Sequence, residues 1–131
     1  MKKLIMLFTG LVVIALFAFT SANQTPWPVP DSFKNKVNPL KGDAGSVAKG
    51  KDLYNQHCKS CHGTKGKGDG PKASQLDTES GDFTKPAFQA QTDGTLFYKT
   101  TVGRKDMPSY KTKIPDADDI WSVINYMRTF K

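Results

Sequence analysis

The sequence predicts a small all-α domain. Three stretches carry apolar residues at helical spacing, no stretch reads as a convincing strand, and the first helical stretch ends in Cys58-Lys59-Ser60-Cys61-His62. A chain of 131 residues has room for one such domain, with a thin core, plus whatever is trimmed from its ends. Aromatic residues at 11% and charged residues at 24% describe a globular chain and exclude a disordered one.

The first helix is expected to start near Ser46, whose hydroxyl can cap orphan amides. Val47, Gly50, Leu53, Tyr54, His57 and Cys58 then recur on one face. Gly63 to Pro71 holds four glycines besides the proline and cannot be regular structure. It has no G-x-x-x-x-G-K-[ST] pattern and no strand before it, which argues against nucleotide binding. Residues 72–91 are mixed, with a short helix expected at Lys72 to Leu76. Thr92 or Asp93 can cap a middle helix through Leu96, Phe97 and Thr100, with Gly103 at its end. Arg104 to Ile114 forms a loop centred on Met107-Pro108. Pro115-Asp116-Ala117-Asp118-Asp119 opens the last helix, where carboxylates cap the first turn and suit its dipole. Ile120, Val123, Ile124, Met127 and Phe130 make its buried stripe.

The chain divides into three segments. Residues 1–22 read as an export signal: Lys2 and Lys3, a 16-residue apolar run from Leu4 to Phe19, then Thr20-Ser21-Ala22 as a small-residue cleavage site. The run is short for a span of about 20 residues, so cleavage is favoured over a retained anchor. No cysteine lies near its end, which excludes a lipid-modified cysteine there. Residues 23–45 are Pro-rich, with Pro26, Pro28, Pro30 and Pro39. Trp27-Pro28-Val29-Pro30 is expected to be stiff and extended. It reads as a spacer, as a strap anchored by Trp27 and Phe33, or as a loose tail. Residues 46–131 form the domain.

Cys58, Cys61 and His62 carry the chemistry. C-x-x-C-H is the attachment signal for a covalent c-type haem: two thiols three apart add across the haem vinyl groups, and the adjacent imidazole reaches the iron. A thioredoxin-like pair would follow a strand in a βαβ pattern. A structural zinc site needs four ligands, and the chain has two cysteines and two histidines, with His57 abutting Cys58.

With these motifs in place, residues 46–131 resemble the class I monohaem cytochromes c. The resemblance rests on Cys58-Lys-Ser-Cys61-His62-Gly63, Gly68-Asp69-Gly70-Pro71 and Gly103-Arg-Lys-Asp-Met107-Pro108 in that order. It implies an all-α cytochrome c fold around one haem c, with His62 as the proximal iron ligand and Met107 as the second. The other methionines lie in the leader or, for Met127, on the buried stripe. The resemblance also points to the Pro71 carbonyl as acceptor for His62 Nδ1–H, although Pro71 is equally read as a turn residue. It implies that the first and last helices cross, with Gly50 and Tyr54 facing Val123 and Tyr126. Trp121, Tyr98 and Arg104 read as haem-wall or propionate contacts, or as ordinary core and surface residues.

The function so implied is one-electron transfer with no substrate chemistry, because two axial ligands leave no open site on iron. The alternatives are a haem subunit of a larger oxidoreductase and an open-iron haem sensor or enzyme. Haem attachment in such proteins, like the leader, implies a periplasmic location or the outer face of the cytoplasmic membrane. The net charge is +7, and loss of the leader leaves 17 basic against 12 acidic residues, or +5. Two haem propionates reduce that to about +3. Lys49, Lys51, Lys59, Lys65, Lys67 and Lys72 cluster around the haem motif, which suits an acidic redox-partner surface or an anionic membrane face and not nucleic acid.

Overall fold

Helices from opposite ends of the sequence cross at Gly50. In the computed structural model, which describes residues 26–131, a Cβ placed on Gly50 would fall onto the backbone carbonyl of Ser122. Only glycine allows the two backbones to approach so closely. The elements in chain order are α1 (Asp31–Lys34), α2 (Ala44–His57), α3 (Lys59–His62), a 3-10 turn (Ala73–Gln75), α4 (Pro86–Gln89), α5 (Asp93–Val102) and α6 (Ala117–Met127). The described residues contain no strand, only an isolated bridge between Arg104 and Met107. The all-α expectation therefore holds. The leader lies outside the described residues. No helix among the described residues is long and apolar enough to cross a membrane.

The core is the seam between α2, α5 and α6. Tyr54, Leu96, Phe97, Ile120, Trp121, Val123, Ile124 and Met127 are buried in it. Tyr54 meets Tyr126 edge-on, ring centroids 5.3 Å apart, and meets Phe130 at 5.3 Å. Trp121 lies against Phe97 at 4.3 Å, which makes it a core residue. Phe130 packs on this seam from beyond the helix end, since α6 stops at Met127.

Helix starts follow local chemistry. Thr92 caps α5 by accepting from Thr95 N (3.1 Å), and Asp116 caps α6 by accepting from Asp118 N (2.9 Å). The first helix differs from expectation. It begins at Ala44 with Asp43 as cap, whose carboxylate accepts from Gly45 N at 2.8 Å. Ser46 lies inside the helix and donates to the Asp43 carbonyl (2.7 Å). The Asp43 carboxylate, three residues upstream, is the stronger acceptor and takes the terminus. The helix expected at Lys72 to Leu76 is a single 3-10 turn, and α1 and α4 are short helices that the apolar pattern did not announce.

The described part of the Pro-rich segment, residues 26–45, lies across α5 as a strap. Phe33 packs on Tyr98 (4.9 Å), and Lys36 Nζ sits 4.4 Å over the Phe97 ring. Gly94 leaves no room for a Cβ against the Phe33 carbonyl. A buried polar network anchors the strap further along. Asn38 Nδ2 donates to Asn125 Oδ1 (2.8 Å) and to Asp93 Oδ2 (3.0 Å). Asn125 Nδ2 in turn donates to the Leu40 carbonyl (2.6 Å) and to Ser46 Oγ (2.7 Å). Arg128 closes the far side, donating to Asp93 Oδ1 and to the carbonyls of Gln89 and Gln91.

Candidate haem site

The two thiols and the imidazole share one short helical turn. At Cys58, φ −114° and ψ −36° break α2 from α3. Cys61 N and His62 N both donate to the Cys58 carbonyl, at 3.1 and 3.0 Å. The last carbonyls of α3 would be orphans, and the Gly-rich loop satisfies them in sequence. Gly68 N donates to His62 O (2.9 Å), Gly70 N to Cys61 O (3.1 Å) and Lys72 N to Ser60 O (2.8 Å). The loop containing Pro71 is thus stapled to the attachment turn by its main chain.

Cys58 is buried and Cys61 half-buried, and both are free thiols. Burial, followed by the neighbouring Cys61, pushes the Cys58 thiol up to about 12. A disulfide oxidoreductase needs the opposite, a depressed thiolate. Nor do any three His, Cys, Asp or Glu side chains gather as a metal-binding set among the described residues. What remains is a pair of free thiols beside an imidazole, the donor set that covalent haem attachment uses.

His62 fits the same group. Burial pulls it down to about 4, against a smaller opposing effect of a backbone hydrogen bond with Ser80, so the ring is neutral at pH 7. A neutral imidazole is the form that binds metal. Its Nδ1 is buried with no hydrogen-bond partner. The expected Pro71 carbonyl bond is therefore not made: that loop is committed to the main chain of α3, and Pro71 itself is exposed. Phe83 instead covers the imidazole, ring centroids 4.5 Å apart, and stacks on Phe88 at 4.3 Å. Phe83 was not anticipated. A lone aromatic in a polar stretch was its one sequence signal.

Met107 sits half-buried against the core, at the end of a tight turn. Arg104 N donates to Met107 O (2.8 Å) and Met107 N to Arg104 O (3.0 Å). Gly103, at φ +73°, ends α5 where a side chain would strike the Met107 carbonyl at 2.5 Å. Asp106 ties the turn outward by accepting from Thr78 N (2.9 Å) and Thr78 Oγ1 (2.7 Å). Tyr110 ties it to the attachment turn: its hydroxyl donates to the His57 carbonyl at 2.7 Å, one residue before Cys58. Burial holds the Tyr110 phenol up at about 12, so it remains a donor. Asp106 and Tyr110 were also missed. Their roles depend on partners 28 and 53 residues away.

Of the basic cluster, Lys59, Lys65 and Lys67 line an open cavity of about 410 Å³ with Asp69 and Pro71. Lys51 and Lys72 are exposed. Lys49 is engaged by Asp119 in an ion pair. Tyr98 and Arg104 contact the strap, through Phe33 and Trp27 respectively.

Comparison with known proteins agrees with this geometry. No curated protein sequence matches the chain. Among solved structures, a chain of the Kuenenia stuttgartiensis reducing HAO-like protein complex Kustc0457/Kustc0458 superposes with a TM-score of 0.64 at 26% identity. The alignment covers 82% of this chain and 52% of that one, so this chain spans about half the length of that relative. The family model described as Cytochrome c matches residues 47–131, from the first turns of α2 to the last residue. The chain belongs to the cytochrome c family, whose cofactor is a covalently bound haem c with its iron.

Proposed function

We propose that this protein is an exported one-electron carrier of a respiratory-type chain, not an enzyme. Cys58 and Cys61 hold the haem, and His62 and Met107 are its axial ligands. The haem supplies the redox chemistry. The protein sets the potential by ligand choice, burial and exclusion of water. The observation that carries this reading is the Tyr110–His57 hydrogen bond, which fastens the Met107 loop to the helix end that bears the cysteines. A thioether is a soft donor that favours ferrous iron. Two strong axial ligands leave no position for a substrate.

The test is Met107→Ala in protein made by a host that attaches haem. The wild type should show the sulfur-to-iron charge-transfer band when oxidised and should not bind carbon monoxide at neutral pH. The variant should lose the band, bind carbon monoxide and have a lower potential. A wild type that binds carbon monoxide readily, with a spectrum unchanged by Met107→Ala, would make the open-iron sensor or enzyme the better reading.

The partners proposed are redox proteins with acidic surfaces, met at the Lys59, Lys65 and Lys67 rim, with the anionic outer face of the cytoplasmic membrane as a further docking surface. Electron transfer to such a partner should slow as salt rises, because screening acts over about 10 Å at 0.1 M. Charge reversal of these three lysines should lower chiefly the association rate. A salt-independent rate would place docking elsewhere.

Similarity to a chain of a protein complex favours a second reading, a fixed haem subunit of a larger oxidoreductase. Size exclusion of the native protein, with membrane fractionation, separates the two: a carrier elutes as a free small protein, and a subunit with its complex.

A further inference from the structure

The turn that carries Met107 is strained on one side and tethered on the other. Lys105 at its tip adopts φ +53°, a left-handed conformation that side chains other than glycine disfavour. The relaxed alternative would open the turn and let Met107 move. Arg104 forms the other half of the turn, through both main-chain bonds to Met107. Its side chain reaches the strap, where Nη1 donates to the Pro26 carbonyl at 3.2 Å. The guanidinium carbon lies 5.0 Å from the Trp27 ring centroid. Lys99 from α5 places its ammonium 5.5 Å from the same ring. Trp27 is half-buried and within reach of two cations that repel each other. Burial first, then the Arg104 charge, lowers the Lys99 ammonium's pKa.

We infer that Pro26 and Trp27 form a clamp on the Met107 turn, acting through Arg104 as positioning residues that keep the sixth ligand in place. The inference rests on Met107 being that ligand. The ring attracts both cations through its face, and the Pro26 carbonyl adds a hydrogen bond assisted by the guanidinium charge. Without the ring, Arg104 and Lys99 lose their common partner and their repulsion draws Arg104 away from the strap. The main chain that Arg104 shares with Met107 then has less to resist the strain at Lys105. These strap residues precede the region that the family model matches, residues 47–131.

The test uses the full mature holoprotein in its ferric form and measures the rate at which imidazole replaces the methionine. That rate reports opening of the methionine bond. Trp27→Ala should speed replacement by roughly five- to tenfold, the loss of one cation–π contact between partly desolvated groups. The charge-transfer band should persist, since ligation is loosened and not abolished. Trp27→Phe keeps a ring face and should restore most of the slow rate. Phe33→Ala, which removes the strap's contact with Tyr98 instead, should leave the rate within about twofold of wild type, because no cation–π contact to the turn is lost. Should Trp27→Ala not yield folded protein, Arg104→Gln provides the same comparison. A wild type without the band would overturn the ligand assignment and the clamp together. A band present with an unchanged rate in Trp27→Ala, or an equal acceleration in Phe33→Ala, would overturn the clamp alone.

Discussion

Replacing both Cys58 and Cys61 with alanine should yield a chain without attached haem and without a cooperative fold. The cysteines are the only thiols in the chain, so nothing else can hold the cofactor covalently. The core is small, and its aromatic residues cluster beside the attachment turn: Phe83 lies on His62, and Tyr54 and Phe130 lie behind it. Without haem, these rings lose the apolar body they would close over. A domain of this size has little surplus stability to absorb such losses. The wild type should keep its colour on the polypeptide after acid–acetone extraction. The double variant should be colourless, with the near-ultraviolet signal of buried Trp121 lost. A haem-free variant that melts cooperatively would show that the apolar seam suffices without the cofactor.

Gly50→Ala should be nearly as damaging, although it adds one methyl group far from any reactive atom. The new Cβ would overlap the Ser122 carbonyl, which is main chain and cannot rotate away. The helices must part, and the T-shaped Tyr54–Tyr126 pair one turn along must part with them. Overpacking against backbone should cost about 3 kcal/mol. In a domain of this length that lowers the melting temperature by about 15 °C. The comparison is a thermal melt of wild-type and variant holoproteins in the same oxidation state. A shift of less than about 3 °C, or under 1 kcal/mol, would mean that the crossing is looser than described.

What was legible in the sequence was local. The Ile120–Met127 stripe, the Thr92 and Asp116 caps and the Cys58–His62 turn all depend on neighbours within a few residues, and each appears where its pattern places it. The crossing at Gly50 was anticipated only through the resemblance to the cytochromes c, and the Ser122 carbonyl against Gly50 bears it out. What depended on distant partners was not legible. The cap at Asp43 was a local exception, where a carboxylate displaced the Ser46 hydroxyl. Asn38 reads as a loop residue and is buried only because Asn125 and Asp93 receive it. Tyr110 and Asp106 read as loop residues until their bonds to His57 and Thr78 are known. The Pro71 carbonyl, named through the resemblance as the acceptor for His62 Nδ1–H, makes no such bond.

The Asn38–Asn125 bond has a consequence for the order in which the molecule assembles. It joins residues 87 positions apart, and the same two side chains gather Leu40, Ser46 and Asp93 around them. Closing so long a loop is entropically unfavourable until many contacts form together. Asn125 follows Asn38 by 87 residues, so until the last helix docks the strap and α2 have no counterpart to receive them. Over that interval the attachment turn also lacks the helix that will cover it. Cys58 is therefore open to haem addition before the core closes, and buried from other reagents afterwards.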